Sequence, residues 1–261
     1  MKKLTMCVFA ATFLVAATGT SFAVNSAWSG TWKENLAKGK HTGQRVTVTE
    51  KPDGMLHFSN GVNSYDYKCD GKPYTVVPGR TLTCAGNPQA GYDITVVQDG
   101  RTLSKEHRII SADGKEMTNK GTQYRGDGST STFEEVRRRE GGGTGLAGTW
   151  VETKMQDQKP DVQTWTLNGE AVQIQDPAEK LNVTVKLDGS DTKVIGPTIP
   201  QGAVLTMKPE GDNKLRFEHK LNGKVTAEGT YTLSADGKAM TYEFWRPGHE
   251  SEKEATVFEK Q

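Results

Sequence analysis

The histidines and other reactive residues of this sequence lack the spacings that catalysis or metal binding usually requires. The sequence has neither an HExxH motif nor a serine in a Gly-x-Ser-x-Gly elbow, and its five histidines are dispersed: His41, His57, His107, His219 and His249. Zinc sites and hydrolase sites need such residues at short, fixed spacings. The glycine-rich run 141–145 also lacks the lysine that ends a phosphate-binding loop. We therefore predict a protein that is not an enzyme and holds no metal or cofactor.

Aromatic residues are the remaining candidates for ligand contacts. They lie on or beside predicted strands, and more of them occur in the second half of the chain. A barrel of about eight strands either fills its interior with side chains or encloses one small ligand, so both a core role and a pocket role stay open. The candidate ligand-binding residues are Trp165, Phe217, Tyr231, Tyr242, Phe244, Tyr65 and Tyr67.

The first 23 residues have the features of a cleavable export signal. Lys2 and Lys3 precede an apolar stretch that is too short to span a bilayer, and Ser21-Phe22-Ala23 provides a small-x-small cleavage site. We predict cleavage near Ala23 and a periplasmic or secreted protein. The mature chain would carry 31 basic and 32 acidic residues. This balance gives no electrostatic reason to expect nucleic acid as a partner, and no later segment is apolar enough for membrane insertion.

Two cysteines, Cys69 and Cys84, remain after that cleavage. An even number of cysteines in an exported chain favours a disulfide. A metal site or a redox pair is the alternative, but no histidine lies near them and the spacing is not CxxC. We predict a structural disulfide, and only in the first half, because the second half has Leu187 where the first has Cys69.

Alternating apolar and polar residues, separated by Asp-Gly and Asn-Gly pairs, predict an all-β protein. Examples are Tyr65/Tyr67/Cys69 and Leu181/Val183/Val185. Period-two alternation is typical of antiparallel strands with one buried face, and the Asp-Gly pairs are typical of tight hairpins. Strands joined by hairpins favour an up-and-down barrel, which removes exposed edges. A two-sheet sandwich remains the alternative.

The sequence repeats itself and so predicts two tandem domains. Gly30-Thr31-Trp32 returns as Gly148-Thr149-Trp150, 118 positions later, and Ser-Ala-Asp-Gly-Lys at 111–115 returns at 234–238. We predict a signal peptide at 1–23, one barrel at 24–140, a flexible glycine-rich linker at 141–145 and a second barrel at 146–261. Each range is long enough to bury its own core.

Each repeat resembles the lipocalin-like family of small exported barrels, through the Gly-Thr-Trp segments and the late Asp-Gly-Lys hairpin. The resemblance implies that Trp32 and Trp150 close one end of each barrel and that a basic residue from the last strand covers each tryptophan. Arg137, Arg138 or Arg139 would be the partner of Trp32 by cation–π stacking. The second repeat ends in Lys260 and has no arginine there.

These observations leave three functional hypotheses. The first is an exported module that binds a small apolar or amphipathic ligand in a barrel. The second is a protein-interaction module, such as an inhibitor of an exported protease. The third is an enzyme on the same scaffold, which the residues favour least, since fold alone does not define function.

Overall fold

The chain folds into two antiparallel sheets of ten strands, each curled into a nearly closed barrel. The computed structural model describes residues 26–40, 43–157 and 159–261. The predicted signal peptide 1–23, Val24 and His41 lie outside the described residues. The all-β, up-and-down prediction is confirmed.

The first barrel, barrel I, is a continuous part of the chain from β2 to β11. Its strands run around the barrel in the order β4-β3-β2-β11-β10-β9-β8-β7-β6-β5. They are β2 (Arg45–Glu50), β3 (Leu56–Ser59), β4 (Ser64–Tyr67), β5 (Asp70–Val77), β6 (Arg80–Asn87), β7 (Gly91–Gln98), β8 (Arg101–Ile110), β9 (Glu116–Tyr124), β10 (Thr130–Arg139) and β11 (Gly148–Asp157).

The second barrel, barrel II, consists of β12 to β20 together with β1. Its order is β14-β13-β12-β1-β20-β19-β18-β17-β16-β15. Its strands are β1 (Gly30–Glu34), β12 (Val162–Asn168), β13 (Ala171–Asp176), β14 (Leu181–Lys186), β15 (Thr192–Lys193), β16 (Ala203–Pro209), β17 (Lys214–Leu221), β18 (Lys224–Leu233), β19 (Ala239–Trp245) and β20 (Glu254–Lys260). Two short 3-10 helices, Ser26–Trp28 and Glu250–Glu252, complete the secondary structure of the residues that the structure describes.

The two repeats exchange their first strands, which corrects the expectation of one self-contained barrel per repeat. β1 lies between β12 and β20 in barrel II, whereas β11 lies between β10 and β2 in barrel I. The predicted ranges 24–140 and 146–261 therefore do not coincide with the two sheets. The glycine-rich run 141–145 does not link two barrels, because it joins β10 to its hydrogen-bonded neighbour β11. The chain passes from one barrel to the other between β1 and β2 and again between β11 and β12.

Each barrel closes at a seam between its two terminal strands. In barrel I the seam is between β4 and β5, and a disulfide joins Cys69, beside the seam, to Cys84 on β6. The predicted disulfide is thus present. In barrel II the amide of Gly189, just beyond β14, donates to the carbonyl of Met207 on β16 at 2.9 Å. The disulfide therefore ties the connection between β4 and β5 to β6 in barrel I, whereas a backbone hydrogen bond ties the end of β14 to β16 in barrel II.

Both copies of the Ser-Ala-Asp-Gly-Lys segment form the same hairpin turn. Asp113 accepts from the amide of Lys115 at 3.0 Å, and Asp236 accepts from the amide of Lys238 at 3.1 Å. The following glycines, Gly114 and Gly237, have φ near +70°, which residues with a Cβ rarely adopt. The turn requires an aspartate followed by a glycine, which explains why this segment is the longest identical stretch that the two repeats share.

A buried tryptophan closes one end of each barrel. Trp32 and Trp150 are both fully buried. Their indole nitrogens donate to the carbonyls four residues earlier, Trp32 to Trp28 at 3.1 Å and Trp150 to Leu146 at 2.9 Å. We call these the tryptophan ends of the barrels. The same local hydrogen bond thus recurs in both repeats, as their shared Gly-Thr-Trp sequence implies.

The basic residue over each tryptophan is not the one that the sequence indicated. The Arg139 guanidinium carbon lies 4.1 Å from the centre of the Trp150 ring, and Lys260 Nζ lies 5.1 Å from the centre of the Trp32 ring. Arg137 and Arg138 cover neither tryptophan. The strand exchange causes the change, because it places β11 beside β10 and β1 beside β20.

The glycine two residues before each tryptophan leaves room for that basic side chain. A Cβ at Gly30 would lie 2.4 Å from Cε of Lys260, and one at Gly148 would lie 2.6 Å from Nη1 of Arg139. Lys260 then reaches the carbonyl of Ala27 at 2.7 Å, and Arg139 reaches the carbonyl of Gly145 at 2.8 Å. The glycine, tryptophan and basic residue therefore form one packed unit in each barrel.

The opposite ends of the barrels, which we call the facing ends, contact each other. In barrel I this end carries the turns at 60–63, 78–79, 99–100 and 125–129. Gln98 there donates to the carbonyl of Ile199 at 2.8 Å, and Asp127 donates its amide to the carbonyl of Ala178 at 2.8 Å. Arg125 pairs with Asp161 at 2.6 Å. These bonds join turns of barrel I to the segments 161, 176–179 and 196–200 of barrel II.

Replacing each tryptophan by alanine should destabilise the barrel formed mainly by the other repeat. We expect a loss of about 3–5 kcal/mol for each variant, as for other buried aromatic residues. In hydrogen–deuterium exchange, Trp32→Ala should raise exchange across 162–260, and Trp150→Ala should raise it across 45–139. Increased exchange within each tryptophan's own repeat instead would contradict the exchanged arrangement.

Removing the disulfide should weaken barrel I specifically. The loop spans 15 residues, and loss of such a cross-link costs about 3 kcal/mol in the chain-entropy account. We expect the double variant Cys69→Ser/Cys84→Ser to melt earlier and to lose exchange protection in β4 to β7. Unchanged protection there, or an equal loss across barrel II, would show that the bond does not hold the seam.

Candidate functional site

A partly enclosed cavity of about 800 Å³ lies between the facing ends and extends into barrel II. Residues of both barrels line it. Barrel I contributes side chains from β5, β6, β10 and β11, and barrel II contributes side chains from β1, β12 to β14 and β16 to β20. Its volume is within the range of about 300–1,000 Å³ that ligand pockets usually occupy.

The end of the cavity inside barrel II is apolar and aromatic. Tyr231, Tyr242 and Phe244 line it, with ring centres 4.8 Å apart for the two tyrosines and 5.1 Å apart for Tyr242 and Phe244. Aliphatic side chains complete this wall, among them Ile174, Val183 and Leu205. The rings sit on the adjacent strands β18 and β19, where alternation turns every second residue inward. This end suits an apolar or aromatic group.

His219 also lines the apolar end and adds no charge there. Its ring packs edge-on against Phe217, with centres 5.1 Å apart. Burial lowers the pKa of His219 to about 4, because the apolar surroundings disfavour the charged ring. At neutral pH this side chain is therefore a neutral part of the wall.

The end of the cavity at barrel I is charged. Arg137 Nε donates to Oε1 of Glu135 at 2.8 Å, and Arg137 Nη2 lies 3.7 Å from Oε2 of Glu152. Glu152 is 6% exposed and Glu254, from barrel II, is 8% exposed. All four residues line the cavity. Deeper in barrel I, Glu106, Arg108 and Asn119 continue the polar network, with Arg108 donating to Glu106 at 2.9 Å.

Four buried polar atoms of this network have no hydrogen-bond partner in the part of the chain that the structure describes. Nη1 of Arg137 and Oε1 of Glu152 belong to residues that line the cavity, and Nε of Arg108 and Oδ1 of Asn119 lie deeper in barrel I. Buried polar atoms are nearly always paired, and an unpaired one costs free energy. Because Arg137 and Glu152 line the cavity, a bound polar group could satisfy their two atoms.

The pKa values of the two neighbouring carboxyl groups, Glu135 and Glu152, are shifted in opposite directions. Burial above all, with the charges of Glu135 and Glu254 and a hydrogen bond with Glu135, raises the pKa of Glu152 to about 7 against the opposing effect of Arg137. Burial also acts to raise the pKa of Glu135, but Arg137 and Arg108 outweigh it, so that this pKa is lowered. Glu135 is therefore the ionised partner of Arg137, and Glu152 holds a proton near neutrality.

The predicted aromatic residues divide into three groups in the structure. Tyr231, Tyr242 and Phe244 line the cavity. Trp165 and Phe217 are buried behind that wall, with Trp165 in contact with Tyr231 and Phe217 in contact with Tyr242. Tyr65 and Tyr67 pack in the core of barrel I, away from the cavity. The cavity thus gathers three of the seven residues proposed from the sequence.

Glu135, Arg137 and Glu152 line the cavity but are not among the ligand residues proposed from the sequence. The signal that the sequence offers for them is their odd or even position in the alternating pattern of each strand. Glu135 and Arg137 alternate in step with Phe133 and with Arg139, which covers Trp150, and Glu152 alternates in step with Trp150 itself. The resemblance offered Arg137 only as a possible cation–π partner of Trp32, whereas its position in the alternating strand places it inside the barrel and leaves Arg138 exposed.

Three histidine–carboxylate pairs among the described residues lie away from the cavity, one of them between His249 Nδ1 and Glu252 at 3.4 Å. His57 Nδ1 is 2.7 Å from Asp66, and His107 Nδ1 is 2.8 Å from Asp93. Among residues 26–40, 43–157 and 159–261, no group of three or more His, Cys, Asp or Glu side chains is arranged to hold a metal ion.

No protein-family model, curated protein or solved structure matches this chain. Within the described ranges, no helix has the length and apolar character needed to span a bilayer. The fold and the cavity are therefore the observations from which a function can be inferred.

Glu152→Gln should stabilise the protein at alkaline pH and have little effect in acid. The pKa of Glu152 is higher in the folded state than its usual value near 4.5, so its contribution to stability is greatest below about pH 4.5 and falls as pH rises to about 7. The charged groups facing it are Glu135, Arg137 and Glu254.

We expect Glu152→Gln to gain about 1–3 kcal/mol over the parent at pH 8 and almost nothing at pH 5. Denaturant melts at both pH values measure this difference. The exposed Glu170→Gln is the matched control and should show no such pH dependence. A uniform loss of stability in Glu152→Gln at both pH values would contradict a protonated Glu152.

Proposed function

We propose that this chain is an exported, non-catalytic binding protein that holds a small amphipathic molecule in the cavity between its two barrels. The observation that carries the proposal is the two-ended cavity. About 800 Å³ of space is lined at one end by Tyr231, Tyr242 and Phe244 and at the other by the partly buried Arg137 and the buried Glu152. Pockets that bind small molecules typically combine apolar walls with a few placed polar groups.

Three further features support this proposal. The disulfide is compatible with an oxidising compartment, in agreement with the predicted export signal. The Gly-Thr-Trp segments resemble those of lipocalin-like barrels, and this resemblance implies carriage of apolar ligands. A ligand packed against the partly buried aromatic wall would add van der Waals contacts that the rings lack while they face the cavity, and such close packing stabilises protein interiors.

The proposal differs from the interaction-module hypothesis in where the partner binds. A small ligand would enter the cavity, whereas a protein partner would bind the outer surface and leave the cavity unfilled. Native mass spectrometry of the protein purified from its own host separates them. A bound small-molecule mass supports the proposal, and a bound protein chain with no small molecule favours the interaction module.

Filling the cavity should abolish binding of an apolar probe. Thr256 on β20 lines the cavity opposite Tyr242, whereas Thr232 on β18 is exposed. We expect N-phenyl-1-naphthylamine to gain fluorescence with the parent protein, and Thr256→Trp to weaken its binding at least about tenfold, the effect of about 1.4 kcal/mol. Thr232→Trp is the matched control and should bind as the parent does.

Thermal melts followed by circular dichroism show whether Thr256→Trp remains folded. A folded Thr256→Trp variant that binds the probe as tightly as the parent would overturn the placement of the ligand in this cavity. Failure of the parent to bind the probe and to carry a small molecule from its host would overturn the proposed function.

A further inference from the structure

Most of the charged side chains that line the cavity have partners within the protein. Arg137 donates to Glu135, and Glu152 lies 3.7 Å from Arg137 and shares a hydrogen bond with Glu135. Asp161 pairs with Arg125 at 2.6 Å. These groups bind one another, so they do not by themselves select the charge of a ligand.

The other two acidic residues of the wall, and its lysine, are also partnered. Glu34 accepts a hydrogen bond from the amide of Asp161 at 3.1 Å, and Glu254 has a partner as well. Lys220 Nζ lies 2.8 Å from the carboxylate of Asp191. The charge of this lysine is therefore offset where it stands.

Arg80 is the basic residue of the wall that makes no salt bridge with any residue the structure describes. Its Nε and Nη2 donate to Oε1 of Gln98 at 2.9 and 2.7 Å, and Nη2 also donates to the carbonyl of Thr198 at 3.1 Å. Both acceptors are neutral. Within the described residues Nη1 makes no hydrogen bond, so this nitrogen can still donate to a ligand.

Arg80 points into barrel I at the mouth of the cavity. It alternates in step with Leu82 and Cys84, which are both buried. Burial lowers the pKa of Arg80, and the carboxylate that opposes this effect belongs to Asp99, on an exposed turn. A partly buried cation whose charge is incompletely balanced attracts an anion, because Coulomb attraction is stronger where water is excluded.

Apolar side chains begin beside Arg80 and continue to the aromatic wall. Thr198, whose carbonyl accepts from Arg80, precedes Ile199 and Pro200, and these two residues line the cavity. Leu205 on β16 lines it next, and the tyrosine and phenylalanine rings follow on β18 and β19. A ligand with its charged group at Arg80 would thus place its body first on aliphatic and then on aromatic surface.

We infer that the ligand is an amphipathic monocarboxylate: its carboxylate binds Arg80, and its apolar body lies along Ile199 toward Tyr231 and Tyr242. One guanidinium balances one negative charge, and Asp99 nearby disfavours a second, so a monoanion suits the site better than a dianion. This inference rests on the proposed function and names the class of molecule that the same cavity selects.

Three probes that share one apolar body test the inference. They are 1-naphthoic acid, 1-naphthamide and 1-naphthylmethylamine, which at pH 8 are an anion, a neutral molecule and a cation. Isothermal titration calorimetry measures their affinities. We expect the parent protein to bind the acid at least about tenfold more tightly than the amide, since a charge-assisted hydrogen bond exceeds a neutral one by about that amount. The amine should bind most weakly.

Arg80→Gln should remove the preference for the acid without removing the cavity. We expect it to weaken acid binding at least about tenfold and to change amide binding by less than about twofold. Arg80→Lys keeps the positive charge and should retain part of the preference. Arg138→Gln makes the same change of charge at an exposed position and should alter neither affinity.

Proton uptake gives an independent readout of where the carboxylate binds. At pH 8 Arg80 is already charged, so binding of the acid there should take up almost no proton. Glu152, with a pKa of about 7, is largely ionised at pH 8 and would take up close to one proton if the carboxylate lay beside it. Titrations in buffers of different ionisation enthalpy measure the uptake, and a value near one proton would contradict binding at Arg80.

The same measurements separate ligand binding from a purely structural role of Arg80. If anchoring Thr198 were its whole role, Arg80→Gln would weaken binding of acid and amide alike, and that result would overturn the inference. Equal binding of acid and amide by the parent, tighter binding of the amine, or failure of the acid to bind while N-phenyl-1-naphthylamine binds would also overturn it and leave the proposed function in place. Failure of all three probes and of N-phenyl-1-naphthylamine to bind would overturn the proposed function and this inference with it.

Discussion

The exchange of first strands between the two repeats is the constraint on which the rest of this structure depends. β1 hydrogen-bonds to β12 and β20, and β11 hydrogen-bonds to β2 and β10. Each barrel therefore contains one strand from the other repeat. Barrel I is continuous along the chain, but barrel II is complete only when β1 reaches across from the N-terminal side. The connections from β1 to β2 and from β11 to β12 join the two barrels at their facing ends.

This constraint explains why each barrel has two different ends. At the tryptophan end, a glycine, a tryptophan and a basic residue pack together and leave no space. At the facing end, these connections and the turns bring the barrels into contact, with Arg125 paired to Asp161 and Gln98 bonded to Ile199. The cavity opens between these facing ends. Its walls thus come from both repeats, and neither barrel alone would supply both the aromatic rings and the buried charges.

The contrast between the two ends of the cavity has a physical basis in the two interiors. The interior of barrel I near the cavity is occupied by paired charges, which require hydrogen-bond partners once buried. The interior of barrel II is lined by rings that stack at about 5 Å. A molecule with a polar head and an apolar body would place its head at the charged end of the cavity and its body at the aromatic end. The pKa of Glu152 is raised chiefly because burial at this end disfavours its charged form, and the neighbouring carboxylates of Glu135 and Glu254 add to the effect.

Much of the fold could be predicted from the sequence because local chemistry determined it. Alternation and Asp-Gly pairs predicted the strands and hairpins, and the cysteine count predicted the bond between Cys69 and Cys84. The exchange could not be predicted in the same way. Gly30-Thr31-Trp32 and Gly148-Thr149-Trp150 are identical, so either strand can occupy either position with the same local contacts.

The connections between strands decide which arrangement forms. The short segment 140–147 suits an antiparallel hairpin between β10 and β11, and short connections usually join neighbouring strands. Only three of the seven proposed ligand residues reach the cavity, because aromatic residues fill cores as readily as they line pockets. Alternation places Glu135, Arg137 and Glu152 on the inner faces of their strands, but it does not predict which charges meet there, because those contacts join strands that are distant in the sequence.

Cross-linking of engineered cysteine pairs tests the exchange most directly. In the structure Thr31 lies opposite Thr164, whereas in a chain without exchange it would take the place of Thr149, opposite Thr47. Directly opposed residues on antiparallel strands lie within the Cα distance that a disulfide can span. We expect Thr31→Cys/Thr164→Cys to form an intramolecular disulfide in the monomer and Thr31→Cys/Thr47→Cys to remain reduced at those positions. The reverse result, with cross-linking only between positions 31 and 47, would contradict the exchange of strands.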